Sequence, residues 1–361
     1  MIIKVIFLLH LPPPVHGAST VGDLIKKRFD LKGNYKKFYR NIGTTKDFKE
    51  RRKTSFSKII RFIFDYCINL LFFLSTKPDL VYITCSTYGI GFFKDSLYIL
   101  LCKVFNTKYL LHFHNKGFHN KKLSKLGRWY HNYILNDSKS ILLSRRIEKY
   151  YLPFLRNSNC FYLPNGIEDK CPNYKYKAKD NNKILYVSNL VYSKGLLDLL
   201  DIAHYLKINN FHFELQIVGN EAEISSEDLS LFIQERGLND CVYYLGPLYD
   251  NDKWKVFQES SLFLYPTHED CFPLVLLEAL CFGLPVICSS EGALEDIVVD
   301  GLNGFIIKEY DPVKYGDKII SLFNDKNSFI DFSINSRSRF EKEFTINKFL
   351  SNFNSIILSR L

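Results

Sequence analysis

The sequence predicts an α/β protein built from two doubly wound parallel sheets. Short apolar runs of strand length alternate with segments of helix length along the chain, which is the pattern of successive β-α units. The chain has 361 residues, more than a single hydrophobic core usually holds, so two domains are expected. Hydrophobic residues make up 47% and charged residues 24%, a balance typical of a folded protein and not of a disordered one.

The predicted strands fall into two groups of five. Those of the first half are 2–9, 80–84, 109–113, 141–144 and 161–163. Those of the second half are 184–187, 213–218, 242–245, 262–265 and 286–288. A polar stretch without apolar periodicity, 168–182, follows a Pro-Asn-Gly turn and marks the join. We therefore predict an N-terminal domain over 1–172, a C-terminal domain over 173–345 and a final helix over 346–361.

The longest apolar stretch, the first residues and the cysteines each bear on whether the chain is a membrane-spanning, secreted or cytoplasmic protein. The longest apolar stretch, 59–74, is interrupted by Arg61, Asp65 and Asn69 and is too short to span a bilayer, so an amphipathic or buried helix is expected. Residues 1–14 lack the features of a signal peptide and predict a buried strand. The nine cysteines are odd in number and form no CxxC pair, which favours a reducing cytoplasm over a disulfide framework or a zinc site.

Charge is distributed unevenly along the chain. Residues 1–172 hold 30 Lys and Arg against 11 Asp and Glu, a balance of +19, whereas residues 173–361 have a balance of −9. The basic clusters of the first half, several of them next to aromatic residues, are Lys26-Lys27-Arg28, Lys36-Lys37, Arg51-Arg52-Lys53, and Lys121-Lys122 with Lys125 and Arg128. We expect this half to face an anionic membrane surface. A merely solvated basic face is the alternative, and nucleic acid is disfavoured because no nucleic-acid-binding motif is present.

The most informative segment, 265–307, reads as a strand, an acidic turn, a helix and a second strand. Asp270 lies in the turn and Glu278 lies more than one turn into the helix. Pro273 fits the first turn of that helix, so the N–H groups of Phe272 and Leu274, with the helix dipole, would form an anion site. Acids near a helix start are also ordinary in α/β proteins, where they favour the positive helix end.

This segment resembles the signature of glycosyltransferase family 4, which consists of retaining enzymes of GT-B fold. The signature is an acid, seven residues and a Glu, with Phe and Gly or Pro after the first acid, and it is continued here by Gly283, Pro285 and Val286. The first acid is usually Glu but is Asp270 here, and Glu269 would fit the Phe-Pro register worse. The resemblance implies two Rossmann-like domains facing a cleft, with the terminal helix crossing back to the first domain.

The second domain also carries the family's Lys-Gly pair, at Lys194 and Gly195. The resemblance implies that Lys194 holds the donor diphosphate, but Ser188-Asn189 stands where Gly-Arg is usual. Asn189 brings no charge, so either another basic residue helps or Lys194 and the helix N–H groups suffice. Gly219, which follows the next predicted strand, is consistent with close backbone approach to the nucleotide.

Two features of the first domain match family positions. Gly17 and Ala18 open a helix after a Pro-rich turn, like the N-terminal glycine loop of these enzymes, although plain loop geometry would explain them too. His114 ends a predicted strand where the family has a His facing the donor sugar and the reaction centre. A lone His at a strand end can also be structural.

The resemblance implies transfer of a sugar, with retained configuration, from a UDP- or GDP-linked donor, without a metal or other cofactor. Asp270 and His114 would lie at the reacting sugar, and Glu278 would accept hydrogen bonds from the ribose. The basic first domain suggests a polyprenyl diphosphate-linked acceptor. The enzyme would then be cytoplasmic and peripheral on the inner membrane face, in bacterial O-antigen, capsule or lipopolysaccharide assembly.

Two other classes remain to be considered. One is a nucleotide- or glycan-binding protein that kept the fold and lost activity. The other is a nucleotide-dependent oxidoreductase, which is disfavoured because no G-x-G-x-x-G follows the first predicted strand.

Overall fold

The computed structural model describes residues 2–14, 16–31, 33–43, 56–118, 123–155, 159–176 and 182–361. The chain forms two compact units. The first consists of Met1–Asn165 and Phe349–Leu361, and the second of Gly166–Lys348. The division predicted after residue 172 lies within the second unit.

The first unit is built on a sheet of six parallel strands. These are β1 (Ile3–Leu9), β2 (Tyr35–Asn41), β3 (Leu80–Cys85), β4 (Lys108–Phe113), β5 (Lys139–Leu142) and β6 (Cys160–Tyr162). The helices in the described parts of their connections are α1 (Gly17–Arg28), α2 (Phe56–Thr76), α3 (Gly89–Val104) and α4 (Lys125–Leu135). The strand order is β2-β1-β3-β4-β5-β6, so the chain steps from β1 to β2 in one direction and then returns past β1 in the other.

This reversal decides which helices cover which face of the first sheet. Parallel crossovers are right-handed, so α1 lies on one face while α2, α3 and α4 lie side by side on the other. Alternate residues of β1 point to these two faces. Phe7 contacts Phe29, just after α1, with ring centroids 5.7 Å apart. Ile6 and Leu8 line a small cavity with Phe72 and Phe73 of α2.

The second unit repeats this architecture. Its strands are β7 (Lys183–Val187), β8 (Glu214–Val218), β9 (Val242–Tyr244), β10 (Leu262–Tyr265), β11 (Val286–Ser289) and β12 (Gly304–Ile307). Its helices are α5 (Leu196–Ile208), α6 (Ser226–Glu235), α7 (Asp250–Glu259), α8 (Leu274–Cys281), α9 (Leu294–Ile297), α10 (Pro312–Asn324) and α11 (Lys326–Arg339), and the chain ends with α12 (Ile346–Leu358). The strand order is β12-β11-β10-β7-β8-β9, all parallel.

Helix α12 returns to the α1 face of the first sheet. The ring of Phe353 lies 4.7 Å from that of Phe29 and 5.2 Å from that of Tyr82, measured between centroids. The C-terminal residues 349–361 thus complete the core of the first unit.

The predicted α/β class is confirmed, and each of the ten predicted strands is present with small differences at its ends. Two edge strands, β2 and β12, were not predicted. Strand β2 is half-exposed along its length and rich in basic residues, so it lacks the apolar run of a central strand. Strand β12 is only four residues long and pairs with β11 alone.

The basic clusters of the first half have different surroundings. Lys26-Lys27-Arg28 ends α1, and Lys36-Lys37 lies in β2, where Lys37 Nζ donates to Asp30 at 2.6 Å. Arg51-Arg52-Lys53 and Lys121-Lys122 lie outside the described residues. Across the described ranges, no helix has both the length and the apolarity needed to cross a membrane.

Candidate functional site

The strand order of the second unit reverses between β7 and β10, so the loops after these two strands are neighbours. In doubly wound sheets this reversal opens the crevice in which ligands bind. The backbone N–H groups of His268 and Glu269 both donate to the carbonyl of Ser193, at 3.0 and 3.1 Å. Gly195 lies so close to the second loop that a Cβ there would collide with the carbonyl oxygen of Pro266. The two loops are thereby locked together.

This contact pairs two of the predicted site residues, Lys194 and Asp270. Lys194 Nζ lies 2.7 Å from Asp270 Oδ2 and also donates to the main-chain carbonyl of Glu269 at 2.7 Å. The Tyr265 hydroxyl donates to the same carboxylate oxygen at 2.6 Å, and the N–H of Cys271 donates to Asp270 Oδ1 at 2.8 Å. An ammonium group has three donors, so one remains beyond the two that hold Lys194 in place.

The carboxylate of Asp270 is therefore fixed from three sides while still partly exposed. Its side chain is 16% exposed and that of Lys194 is 27% exposed, so both can reach a ligand. The neighbouring acid, Glu269, gives Lys194 only its main-chain oxygen. Burial and the charge of Asp270 raise the pKa of Tyr265 well above its ordinary value, so the phenol stays a donor.

Helix α8 starts one residue later than the sequence predicts. It begins at Leu274, and Pro273 is its N-cap residue in an extended conformation. The first free N–H groups of the helix are therefore those of Leu274 and Val275, not of Phe272. Phe272 is instead buried with its ring 6.1 Å from that of Phe344. The positive end of α8 still follows directly on the turn that carries Asp270.

Glu278 pairs with a residue that the sequence did not single out, Lys253 of α7. The two carboxylate oxygens of Glu278 lie 2.8 and 2.6 Å from Lys253 Nζ. Burial raises the pKa of Glu278 above its ordinary value, although the charges of Lys253 and Lys170 offset part of this effect. Lys253 also lies 5.0 Å above the centre of the Trp254 ring. Besides Lys194, Lys253 is therefore a second lysine of this unit whose ammonium group is held by a carboxylate.

Asn189 and Gly219 meet at the ends of β7 and β8. The amide of Asn220 donates to Asn189 Oδ1 at 3.4 Å, and Tyr249 donates to Asn220 at 3.0 Å. A Cβ on residue 219 would collide with the carbonyl oxygen of Ser188. The glycine is therefore required by the close approach of the two strand ends, whatever else binds there.

In the first unit, His114 belongs to a cluster of buried and half-buried polar residues in and just after β1, β3 and β4. Its ring lies 4.0 Å from that of His112, which contacts the Tyr82 hydroxyl at 2.5 Å. Burial, with the nearby charges of His10 and His16, lowers the pKa of His114 to about 3. Its Nδ1 atom is buried without a hydrogen-bond partner among the described residues. His114 is therefore a neutral group that can still donate or accept.

The same cluster contains a His–Asp pair that the sequence did not indicate. His10 Nε2 lies 3.8 Å from Asp95 Oδ1, and Lys94 Nζ lies 3.4 Å from the same oxygen. Burial acts to raise the pKa of Asp95, but Lys94 and His10 outweigh it and hold the pKa at about 2. Among the described residues, no group of three or more His, Cys, Asp or Glu side chains is placed to hold a metal ion.

Gly17 and Ala18 are the first two residues of α1, as the sequence predicts for a helix opened by a glycine loop. The N-cap residue is His16, whose side chain accepts from the N–H of Ser19 at 3.3 Å. A Cβ on residue 17 would meet no atom within 4 Å, so crowding does not require this glycine.

The structure thus brings Lys194 to Asp270, and Asn189 to the end of β8 that holds Gly219. Two contributors were missed, Tyr265 and Lys253. A tyrosine at the end of a buried strand needs a hydrogen-bond partner, which was a usable signal for Tyr265. Lys253 carries no such signal, because its position depends on how α7 packs.

The second unit matches a known protein family. Residues 171–342 match the family described as Glycosyl transferases group 1, which is just under half of the chain. The matched residues lie within the second unit, Gly166–Lys348, and cover most of it.

Similar curated proteins include glycosyltransferases of bacteria. The capsular polysaccharide biosynthesis glycosyltransferase CapM of Staphylococcus aureus is 28% identical over 183 residues, which are 50% of this chain and 46% of CapM. The O-antigen chain mannosyltransferase C of Escherichia coli is 32% identical over 171 residues, covering 46% of this chain and 43% of that protein. The alignments span less than half of these two relatives.

Solved structures match nearly the whole chain. A glycosyltransferase from Rickettsia africae superposes with a TM-score of 0.75 at 14% identity, covering 99% of this chain and 98% of that one. Anabaena HepE in complex with UDP gives a TM-score of 0.77 at 15% identity, with coverage of 99% and 100%. These matches confirm the predicted GT-B fold class.

Proposed function

We propose that the chain is a retaining glycosyltransferase that transfers a sugar from a nucleotide sugar to a lipid-linked glycan acceptor in the synthesis of a bacterial cell-surface polysaccharide. The observation that carries this proposal is the pairing of Lys194 with Asp270 beside the start of α8. A cation from the loop after β7, an acceptor of sugar hydroxyls and helix N–H groups are thus placed next to one another at the β10–α8 turn. This arrangement suits a sugar diphosphate.

Lys194 and the N–H groups of Leu274 and Val275 bind the diphosphate in this proposal. As the glycosidic bond breaks, negative charge grows on the leaving diphosphate, and groups already fixed around it stabilise that charge without reorganisation. Asp270 contributes in two ways, because it holds Lys194 in place and accepts hydrogen bonds from the sugar.

Glu278 accepts hydrogen bonds from the ribose, while Lys253 keeps the buried carboxylate ionised and oriented. The structure neighbour HepE binds UDP and UDP-glucose, which supports a nucleotide-sugar donor and favours UDP over GDP.

In the reaction, an acceptor hydroxyl attacks the anomeric carbon from the face that the diphosphate leaves. The new C–O bond forms as the old one breaks, and the acceptor proton passes to the departing phosphate oxygen. No carboxylate nucleophile is then needed. We assign His114 a contact with the reacting sugar, which its neutral ring can make as donor or acceptor.

The acceptor and location follow from charge and from the relatives. Relatives named for capsule, O-antigen and amylovoran biosynthesis support a cell-surface polysaccharide. The balance of +19 in residues 1–172 favours an acceptor held at an anionic membrane, such as a polyprenyl diphosphate-linked sugar. The protein would then act in the cytoplasm, at the inner membrane face.

The test is a panel of UDP-, GDP- and dTDP-sugars offered to the purified protein with extracted lipid acceptors. We expect transfer from one donor class and its loss in Glu278→Gln, whereas Glu235→Gln, an exposed glutamate of α6, should keep full activity. Donor binding without transfer to any acceptor would instead favour a non-catalytic binding protein. No binding of any nucleotide sugar would refute both.

A further inference from the structure

The exposed side of α2 is apolar from Ile60 to Leu74. Seen down the helix axis, positions three and four apart fall on one face. On this face lie six large apolar side chains, each between 37% and 67% exposed: Ile60, Ile63, Phe64, Ile68, Leu71 and Leu74. Cys67 lies among them and is also exposed. From Ile60 to Leu74 this apolar stripe, as we name these six residues, runs about 21 Å.

The helix cannot rotate to hide the apolar stripe, because polar contacts fix its other side. Asn69 is buried, donates to the Tyr98 hydroxyl at 3.2 Å and accepts from Arg40 at 2.8 Å. The Tyr66 hydroxyl donates to the carbonyl of Leu97 at 3.4 Å. A surface helix usually carries polar residues on its outer side, whereas the outer side of α2 carries the apolar stripe.

Helix α3, which lies beside α2, and helix α4, which lies beside α3, also carry exposed apolar residues. Helices α2, α3 and α4 lie on the same face of the first sheet, as the strand order requires. Exposed apolar and aromatic residues on α3 and α4 include Ile90, Phe93, Leu126, Trp129 and Tyr133. Trp129 and Tyr133 stack with centroids 5.8 Å apart, and such residues favour the interface between lipid and water.

The charges on this surface are mostly positive. From Ile60 to the end of α2 and along α3 and α4 there are five basic residues, namely Arg61, Lys94, Lys103, Lys125 and Arg128. The same segments hold two acids, Asp65 and Asp95. The buried Asp95 pairs with Lys94, whose side chain is only 12% exposed, which leaves four basic residues against Asp65. A second copy of the chain would place like charges together, whereas anionic headgroups would complement them.

We propose that the α2–α4 surface docks on an anionic lipid bilayer and inserts the apolar stripe of α2 below the headgroups. This inference rests on the proposed membrane-held acceptor and adds the face that binds and the way it binds. The basic residues attract the protein, and burial of the stripe holds it, so binding has both a salt-sensitive and a salt-resistant part.

The experiment is co-sedimentation of the full chain with vesicles of phosphatidylcholine, with and without phosphatidylglycerol. We expect binding to the anionic vesicles and an at least tenfold weaker partition for the double variant Phe64→Gln with Leu71→Gln. The matched control is Ile208→Gln with Leu231→Gln, two residues of the second unit that are equally exposed. It should bind like the parent.

Two probes on the surface report insertion directly. Cys67 is the one exposed thiol among nine cysteines, all of them in the described residues, so anionic vesicles should slow its reaction with maleimide. In Trp254→Phe, the remaining Trp129 should show a blue shift of its emission on binding.

Equal binding by the stripe variant and the control would overturn the proposal. So would a dimer in sedimentation velocity that the stripe variant alone converts to monomer, because a second copy would then cover the face. Binding of UDP-, GDP- and dTDP-sugars, measured on the same samples, distinguishes failure of the docking proposal from failure of the proposed function. Binding of one of them without vesicle binding refutes only the docking surface, while binding of none refutes the proposed function.

Discussion

At the scale of single residues, Asp270 holds Lys194 in position, a role that its place in the sequence motif does not indicate. It is the partner of Lys194, and Tyr265 and the N–H of Cys271 fix its carboxylate. Because Tyr265 and the N–H of Cys271 also hold the carboxylate of Asp270, this carboxylate in turn fixes the position of Lys194. Donor affinity should therefore depend on Asp270 through Lys194 as well as through direct contact.

We expect Asp270→Asn to weaken donor binding about 10- to 100-fold, since a hydrogen bond to a charged group contributes about 1.5–3 kcal/mol. The measurement is calorimetric titration with UDP and with the UDP-sugar. The matched control is Glu269→Gln, which changes the adjacent acid but leaves its main-chain contact to Lys194 intact. If Glu269→Gln weakens binding as much as Asp270→Asn, the assignment of Asp270 is wrong.

Glu278 gives a prediction on pH. Burial raises its pKa, so it takes up a proton at a higher pH than an ordinary glutamate does. Donor affinity should therefore fall early as the pH is lowered, and Glu278→Gln should remove this pH dependence along with much of the affinity. The contribution of Glu278 to folding stability has the opposite sign, because a raised pKa adds stability at low pH that is lost as the pH rises through it. Both quantities should be measured from pH 4 to 8. As the pH falls, the parent should lose donor affinity but gain thermal stability relative to Glu278→Gln.

At the scale of elements, the contact between the loops after β7 and β10 determines where the candidate site forms. The sequence shows each loop separately but not that they are neighbours, since this depends on the reversal of strand order. The β10–turn–α8 segment was predictable because an apolar run and a proline mark its parts. Strand β2 was not, because an edge strand with Lys36 and Lys37 lacks that run. Lys253 could not be predicted as a site residue either, because only the packing of α7 brings it to Glu278.

Gly195 tests the contact between these loops. It has a φ of +73°, and a Cβ there would also collide with the Pro266 carbonyl. We expect Gly195→Ala to lower the free energy of unfolding by more than the ~1–2 kcal/mol that a left-handed conformation costs, and to weaken donor binding by moving Lys194. Gly237→Ala is the control, with a φ of +64° and open space around its Cβ. Denaturant unfolding of the two variants should differ, and equal losses would show that the collision has no cost.

At the scale of the whole molecule, the two ends of the chain belong to one unit. Lys108 Nζ at the start of β4 donates to the carbonyl of Leu361, 253 residues later, at 2.9 Å. The second unit is therefore an insertion, in sequence, between two parts of the first. Stability of the first unit should depend on α12, while the donor-binding residues Lys194, Asp270 and Glu278 all belong to the second.

A substitution at Phe353 tests whether stability of the first unit can be lowered without a change in donor binding by the second. It is fully buried against Phe7, Phe29 and Tyr82, so Phe353→Ala should lower the free energy of unfolding of the first unit by about 3–5 kcal/mol. Leu358→Ala, a change at an exposed position of the same helix, should have little effect. UDP binding below the unfolding transition should be the same in both variants, because none of these residues lies in the second unit. Hydrogen exchange should locate the loss of protection in the first sheet. Weaker UDP binding by folded Phe353→Ala would contradict the assignment of donor binding to the second unit alone.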